Sequence, residues 1–490
     1  MSHVKKIAQN AAWLLAATTA QKAIAFIAFT VIARLVGPSV TGEYHFAISI
    51  TSIFVTLADL GLTPVVIRET AADEGKGLKL FGRALLVKSV LVPLAAVLAI
   101  AYAFFTGVSG DTFTAVVIAA CFVMSADSVS LIWYAVIRGR RELRYEALGM
   151  FIGQILTATV GITSAYLGFG VIGLVWGLAA GSLWNVGWSI AMAYRLKLWP
   201  SDGSAILPMV LLRQAFPFAL AGIFVKVYSY VDTLMLKAMH GSVAVGQYAV
   251  AYKLTYALQF LPLAFVAALY PGLANVAEKE REALKPIVNG SLRLMMIASV
   301  PMAALLSALS PRLIPLLYGP QFSGSILPLM VLPWVLIPIF LDFPIGSLLN
   351  ATHRAGLKTT AMGITMLVNF ALNLLLIPSM GPVGAAWAGV GSFIVLFGVG
   401  WYFARNDIDA GFMVPLLLRG LGCAAFTWIG THFIIPPMTD IFAFTFGISI
   451  ATVGLFVFGL LTVSDVLKTM KWLHRRATAP ATEDEALHDK

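Results

Sequence analysis

Three lysines interrupt stretches that are otherwise apolar: Lys22 in "ATTAQKAIAF", Lys226 in "AGIFVKVYSY" and Lys253 in "AVAYKLTYAL". An ammonium group does one kind of chemistry well. It holds an anion, either a carboxylate of the same protein or a charged group on a ligand. Near the centre of a bilayer it costs roughly 2.5–3.5 kcal/mol on insertion scales, and charges kept there usually mark a pathway or a paired site. Ser229, Tyr230 and Thr233 follow Lys226 at i+3, i+4 and i+7 and make one polar face, and Thr18 and Thr19 stand near Lys22. Lys253 is close to Tyr252 and Tyr256, where it either binds a sugar or phosphate group or pairs with Asp232.

Four carboxylates share this apolar setting: Asp59, Asp127, Asp232 and Asp342. Asp59, in "TLADLGLTPVVIRE", stands near the end of an apolar run and is expected to pair with Arg68 or a neighbouring helix. Asp127 and Asp342 either carry a coupling ion, H⁺ or Na⁺, or neutralise Lys22 and Lys226. Asn185, Asn369, Asn373, Gln154 and Gln259 are expected to hydrogen-bond between helices. Catalytic patterns are missing. The chain has no H-E-x-x-H, no Cys-x-x-Cys and no phosphate-binding G-x-x-x-x-G-K-[ST], so no cofactor is expected beyond a coupling ion, and Cys121 and Cys423 read as core thiols.

The elements that must position these groups are membrane helices. The 490 residues are 59% hydrophobic and 11% charged, where soluble domains carry about 25% charged residues. Apolar windows of spanning length recur along the chain and predict an all-α polytopic protein with fourteen crossings. The first window reads as a span and not as a cleavable signal.

A repeat organises the crossings. "GPSVTGEYHFAI" and "HGSVAVGQYAVAY" place Gly42 and Gly246 at an offset of 204, and Lys22 and Lys226 keep the same offset. Further on, "GVIGLVW" from Gly170 matches "GPVGAAW" from Gly381. The order predicts a six-helix lobe over residues 1–198, a cytoplasmic linker over 199–213, a second six-helix lobe over 214–406, two extra spans over 407–465 and a disordered cytoplasmic tail over 466–490. Six is even, so both copies enter the membrane in the same direction and are related by an axis along its normal. Asp127 and Asp342 fall in equivalent spans, the fourth and the tenth. Two such lobes suit alternating access, with a substrate site near the midplane.

All but six of the 33 Lys and Arg residues fall on the face of the N-terminus. Arg34, Lys237 and Arg312 lie at the opposite face, and the three lysines above lie within spans. This asymmetry places both termini in the cytoplasm. The net charge of +10 is therefore a topology signal, and no nucleic-acid partner is expected.

The N-terminal run carries Asn10, Lys22, "RLVGPSVTGEY" and "ADLGLTPVVIRE". In these features, and in its plan of six, six and two spans, the chain resembles the bacterial polysaccharide-exporter, O-antigen flippase type. That type belongs to the multidrug/oligosaccharidyl-lipid/polysaccharide exporter superfamily. The resemblance implies a non-enzymatic flippase of the bacterial inner membrane, acting in surface polysaccharide biosynthesis. It would move undecaprenyl-diphosphate-linked oligosaccharide to the periplasmic leaflet through a cationic cavity that Lys22 and Lys226 fit. Its partners would be the bilayer and, in the same process, a polysaccharide polymerase and glycosyltransferases. Two rivals stand beside this reading. A multidrug cation antiporter of the same superfamily usually lacks the two extra spans and binds cations, which two central lysines repel. A membrane-embedded polymerase or glycosyltransferase usually holds its acceptor with a larger extramembrane element than the 16 residues of the longest outer loop, 310–325.

Overall fold

The structure, a computed structural model, describes residues 3–105, 111–203, 207–279, 284–408, 410–434, 439–465 and 467. Among them every regular element is helical. The first lobe contains α1 (His3–Asp59), α2 (Leu62–Ala72), α3 (Glu74–Phe105), α4 (Asp111–Gly139), α5 (Leu143–Tyr166) and α6 (Gly170–Arg195). The second contains α7 (Pro208–Ala257), α8 (Phe260–Lys279), α9 (Leu284–Ala308), α10 (Ser310–Tyr318), α11 (Ile326–Val331), α12 (Leu336–Ala351), α13 (Ala355–Met380) and α14 (Pro382–Ala404). Two further helices follow, α15 (Ala410–Ile434) and α16 (Asp440–Val457).

Among the described residues eleven helical runs are long and apolar enough to cross a bilayer. Two of them, within α1 and α7–α8, hold two crossings each, and the shorter apolar run Phe442–Val457 brings the number to fourteen. The double crossings turn without a loop. α1 breaks at Gly37 (φ 77°, ψ 178°) and α7 at Gly241 (φ 79°, ψ −172°), nearly the same conformation at an offset of 204. A side chain is strained at such φ, so glycine holds both corners. Pro38 then starts the next helix, where its missing N–H costs nothing.

One turn beyond the corners the two lobes touch. A Cβ added to Gly42 would lie 1.8 Å from the Ser242 carbonyl oxygen, and one added to Gly246 would lie 1.9 Å from that of Pro38. Residue 242 is the counterpart of 38, and 246 of 42, so the contact is reciprocal and an axis of the repeat runs through it. Small residues let backbones approach this closely, and the gain is van der Waals packing with Cα–H···O contacts. This is the role of the repeated Gly-x-Tyr punctuation. The other sequence match is also structural: Gly170 and Gly381, both at positive φ, lead into α6 and α14.

α1 and α7 form the most extensive helix pair. On the face of the two corners, called here the corner face, Phe29, Ile32 and Tyr44 of the first lobe pack with Tyr248, Tyr318 and Phe322 of the second. On the opposite, terminal face, Gly61 packs against the backbone of Ala215 and Ala219. The outside of the bundle stays apolar, with Leu86, Val90, Leu94 and Val97 exposed on α3 alone, as lipid contact requires. The tail beyond residue 467 lies outside the described residues.

Candidate functional site

The three lysines sit on helices that meet along the seam between the lobes. Lys253, in the second half of α7, places its Nζ 5.3 Å from the ring centroid of Phe29 on α1, so it crosses to the opposite lobe. Lys226, in the first half of α7, lies 5.5 Å over the ring of Tyr230, and that ring is 6.4 Å from Tyr252. Lys22 is exposed and lies seven residues before Phe29, on the same side of α1. Among the described residues no carboxylate oxygen lies within 4.0 Å of the ammonium of Lys22, Lys226 or Lys253, and the ion pairs fall to other side chains.

The carboxylates are engaged elsewhere. Asp59 pairs with Lys88 of α3 at 2.8 Å and accepts hydrogen bonds from the Thr63 hydroxyl (2.5 Å) and backbone N–H (3.3 Å) at the start of α2. Of the two partners expected for it, the neighbouring helix is the one that binds, and Arg68 binds Glu69. Asp342 binds Lys358 of α13 at 2.5 Å, not a central lysine. Asp232, 4% exposed, accepts the Tyr248 hydroxyl and the Thr233 N–H (2.6 Å), so Lys253 is not its partner. Asp127 lies half-buried beside Ser182. Asn369 of α13 donates to Ser392 of α14 at 3.0 Å and Asn185 of α6 accepts from Tyr134 of α4, so these two amides tie helices together, while Asn373 donates to Asn369 within α13.

Lys88 counts toward the charge asymmetry in the sequence, yet it is 3% exposed and also donates to the Ser128 hydroxyl and carbonyl, both at 2.9 Å. Breaking one side of a buried pair costs about 3–5 kcal/mol because the other charge stays uncompensated. Lys88→Met is therefore expected to lower the temperature at which the detergent-solubilised protein stops eluting as one species. Asp59→Asn in addition, which keeps an acceptor for Thr63, should recover most of that loss. No recovery in the double variant would show that the pair is not the source.

Two features escape the sequence reading. His45 on α1 is 1% exposed, neither ring nitrogen is hydrogen-bonded by a protein group, and its ring stands 5.6 Å from that of Tyr252 across the seam. Tyr248, Tyr252 and Tyr256 form a ladder along α7, with the last two rings stacked at 4.2 Å. The four-residue spacing in "QYAVAYKLTYAL" was the signal for one helix face.

The seam thus combines unneutralised cations with aromatic surface, between two lobes that pack together on the corner face. It can hold an anionic ligand that carries an amphipathic body. The family model described as "Polysaccharide biosynthesis protein" matches residues 7–277, and the model described as "Lipid II flippase MurJ" matches residues 147–435, each more than half of the chain. A Haloferax volcanii protein described as a probable low-salt glycan biosynthesis flippase is 23% identical over 374 residues, 76% of this chain and 77% of that one. A second protein of that organism, described as a probable flippase, is 25% identical over 259 residues, 51% of this chain and 53% of that one. Among solved structures, the lipid II flippase MurJ in an inward closed conformation superposes with a TM-score of 0.74 at 16% identity, covering 93% of this chain and 99% of that one. An inward-facing MATE family transporter of the MOP superfamily gives 0.63 at 13% identity, covering 79% and 95%. With two family models spanning the lobes and the fold held in common, the chain belongs to the polysaccharide biosynthesis family of flippases, within the multidrug/oligosaccharidyl-lipid/polysaccharide exporter superfamily.

Proposed function

We propose that the protein flips a polyprenyl-diphosphate-linked oligosaccharide, with undecaprenyl as the lipid, across a bacterial inner membrane for surface polysaccharide biosynthesis. The terminal face is then cytoplasmic, and the corner face periplasmic, in line with the Lys and Arg asymmetry. The observation that carries this reading is the set of three seam lysines without a carboxylate partner. A diphosphate loses most of its hydration on entering the membrane, and a lysine left unneutralised by the protein supplies the compensating charge. The glycan would travel between the lobes while the prenyl chain stays in lipid, along α15 and α16. The same cations argue against an extruder of cationic drugs. Asp127 and Asp232, which no lysine among the described residues neutralises, are the candidates for a coupling ion, H⁺ or Na⁺.

Truncating one partner of a desolvated charge pair costs about 2–5 kcal/mol. Lys22→Ala and Lys226→Ala are each expected to reduce surface polysaccharide roughly 30-fold or more in a complementation assay, with unchanged membrane levels by immunoblot. Full complementation by both variants would refute the binding role.

A further inference from the structure

The tyrosine ladder has a second side. Lys253 points from α7 toward Phe29, whereas Tyr252 and Tyr256 also line a partly open cavity of about 420 Å³ whose walls all belong to the second lobe. That volume lies in the range of small-molecule sites, roughly 300–1,000 Å³. Two kinds of surface face it. One is aromatic: Tyr252 and Tyr256 stack at 4.2 Å, and Tyr228 meets Phe393 edge-on at 5.5 Å. The other is polar: the Asp342–Lys358 pair at 2.5 Å, with the amides of Gln259 and Asn350. Among the described residues neither amide makes a side-chain hydrogen bond, so both keep donors and acceptors for a ligand.

The geometry points to a saccharide subsite: this cavity receives a neutral pyranose of the substrate's glycan, with its C–H face on Tyr256 and its hydroxyls on Gln259, Asn350 and the Asp342 carboxylate. A pyranose has one largely apolar face and a rim of hydroxyl groups, which is the division of surface found here. Other ligand classes fit worse. A phosphate would meet the Asp342 carboxylate, and a cationic drug would have to displace Lys358 from it. The carboxylate is held by Lys358 yet retains lone pairs for hydroxyl donors. The inference rests on the glycan-flippase reading and adds the place where the sugar is recognised. The diphosphate belongs to the seam lysines and the sugar to the second lobe.

Saturation-transfer NMR on the purified full-length protein in nanodiscs tests both parts separately. The probes are methyl pyranosides of glucose, galactose, mannose, N-acetylglucosamine and rhamnose at millimolar concentration, and, by calorimetry, inorganic pyrophosphate. At least one pyranoside is expected to bind. Tyr256→Ala should weaken it tenfold or more, Tyr256→Phe should retain it, and Asn350→Leu should weaken it without touching the aromatic wall. All three should bind pyrophosphate as the parent does, and Lys226→Ala should show the reverse pattern. Absence of binding by every pyranoside, or equal binding by Tyr256→Ala and Asn350→Leu, would overturn the subsite. Failure of the parent to bind pyrophosphate would count against the lysine reading instead.

Discussion

Gly246→Val is expected to abolish transport while leaving the protein folded and inserted. Even the first carbon of the new side chain would stand 1.9 Å from the Pro38 carbonyl oxygen, and a Cβ added to Gly42 on the facing helix would stand 1.8 Å from the Ser242 oxygen. Neither obstacle is a flexible side chain. Both are helix backbone, so the two helices must separate by more than an ångström, and the second methyl group forbids a compensating roll. Each lobe keeps its own core, which is why insertion should survive. The corner-face seam should not close, and a cycle that needs it closed stops. In a background without Cys121 and Cys423, a cysteine at Thr41, 1% exposed, should react with a membrane-impermeant maleimide at least tenfold faster when Gly246→Val is present. Gly398→Ala, with open space around its position, is the control and should behave as the parent. Normal transport by Gly246→Val would mean that the contact between the lobes is incidental.

Arg138→Ala should have a large effect on stability. Glu146 is 0% exposed, and the Arg138 guanidinium reaches both of its oxygens, Nε to Oε2 at 2.5 Å and Nη2 to Oε1. The arginine is partly open to solvent, but the carboxylate is not, so the cost is that of stranding Glu146. That cost is about 3 kcal/mol or somewhat more. Arg138→Lys should rescue little, because one ammonium cannot replace a two-pronged donor, and Glu146→Gln should be milder, because no charge is left buried. The thermal midpoint of the solubilised protein, read by fluorescence-detected size exclusion, ranks the three. The pair fastens the turn between α4 and α5, next to Trp188, whose indole N–H donates to the Tyr145 carbonyl at 2.7 Å. An Arg138→Ala protein as stable as the parent would show that Glu146 finds another partner.

The crossings and their duplication were legible in the sequence because both rest on local patterns: apolar windows of spanning length, and glycines at a constant offset. Gly42 and Gly246 were visible as a pair, and their contact explains why they recur. The partners of the charged groups were not legible. Asp59 and Lys88 are 29 residues apart, and Arg68 is nearer along the chain, yet the packing of α3 against α1 decides for Lys88. Asp342 is likewise claimed by Lys358 of the adjacent helix, because the fold brings α12 and α13 together there. His45 was hidden for a different reason: its environment, with no bonding partner for either nitrogen, exists only once the lobes have met. The tyrosine ladder could have been read from its spacing alone.

The loopless corners at Gly37 and Gly241 have a mechanical consequence. Each arm beyond a corner is stiff; residues 38–59 alone span roughly 33 Å at 1.5 Å per residue. The touching glycines sit close to one end of these arms and act as a fulcrum. A tilt of about 10° there swings the end at Asp59, roughly 26 Å from Gly42, by roughly 4.5 Å, on the order of a helix pitch. Leverage of this kind makes a small displacement on one side of the bilayer into a gate on the other, so a wedge driven between the short ends would jam the doorway at the long ones.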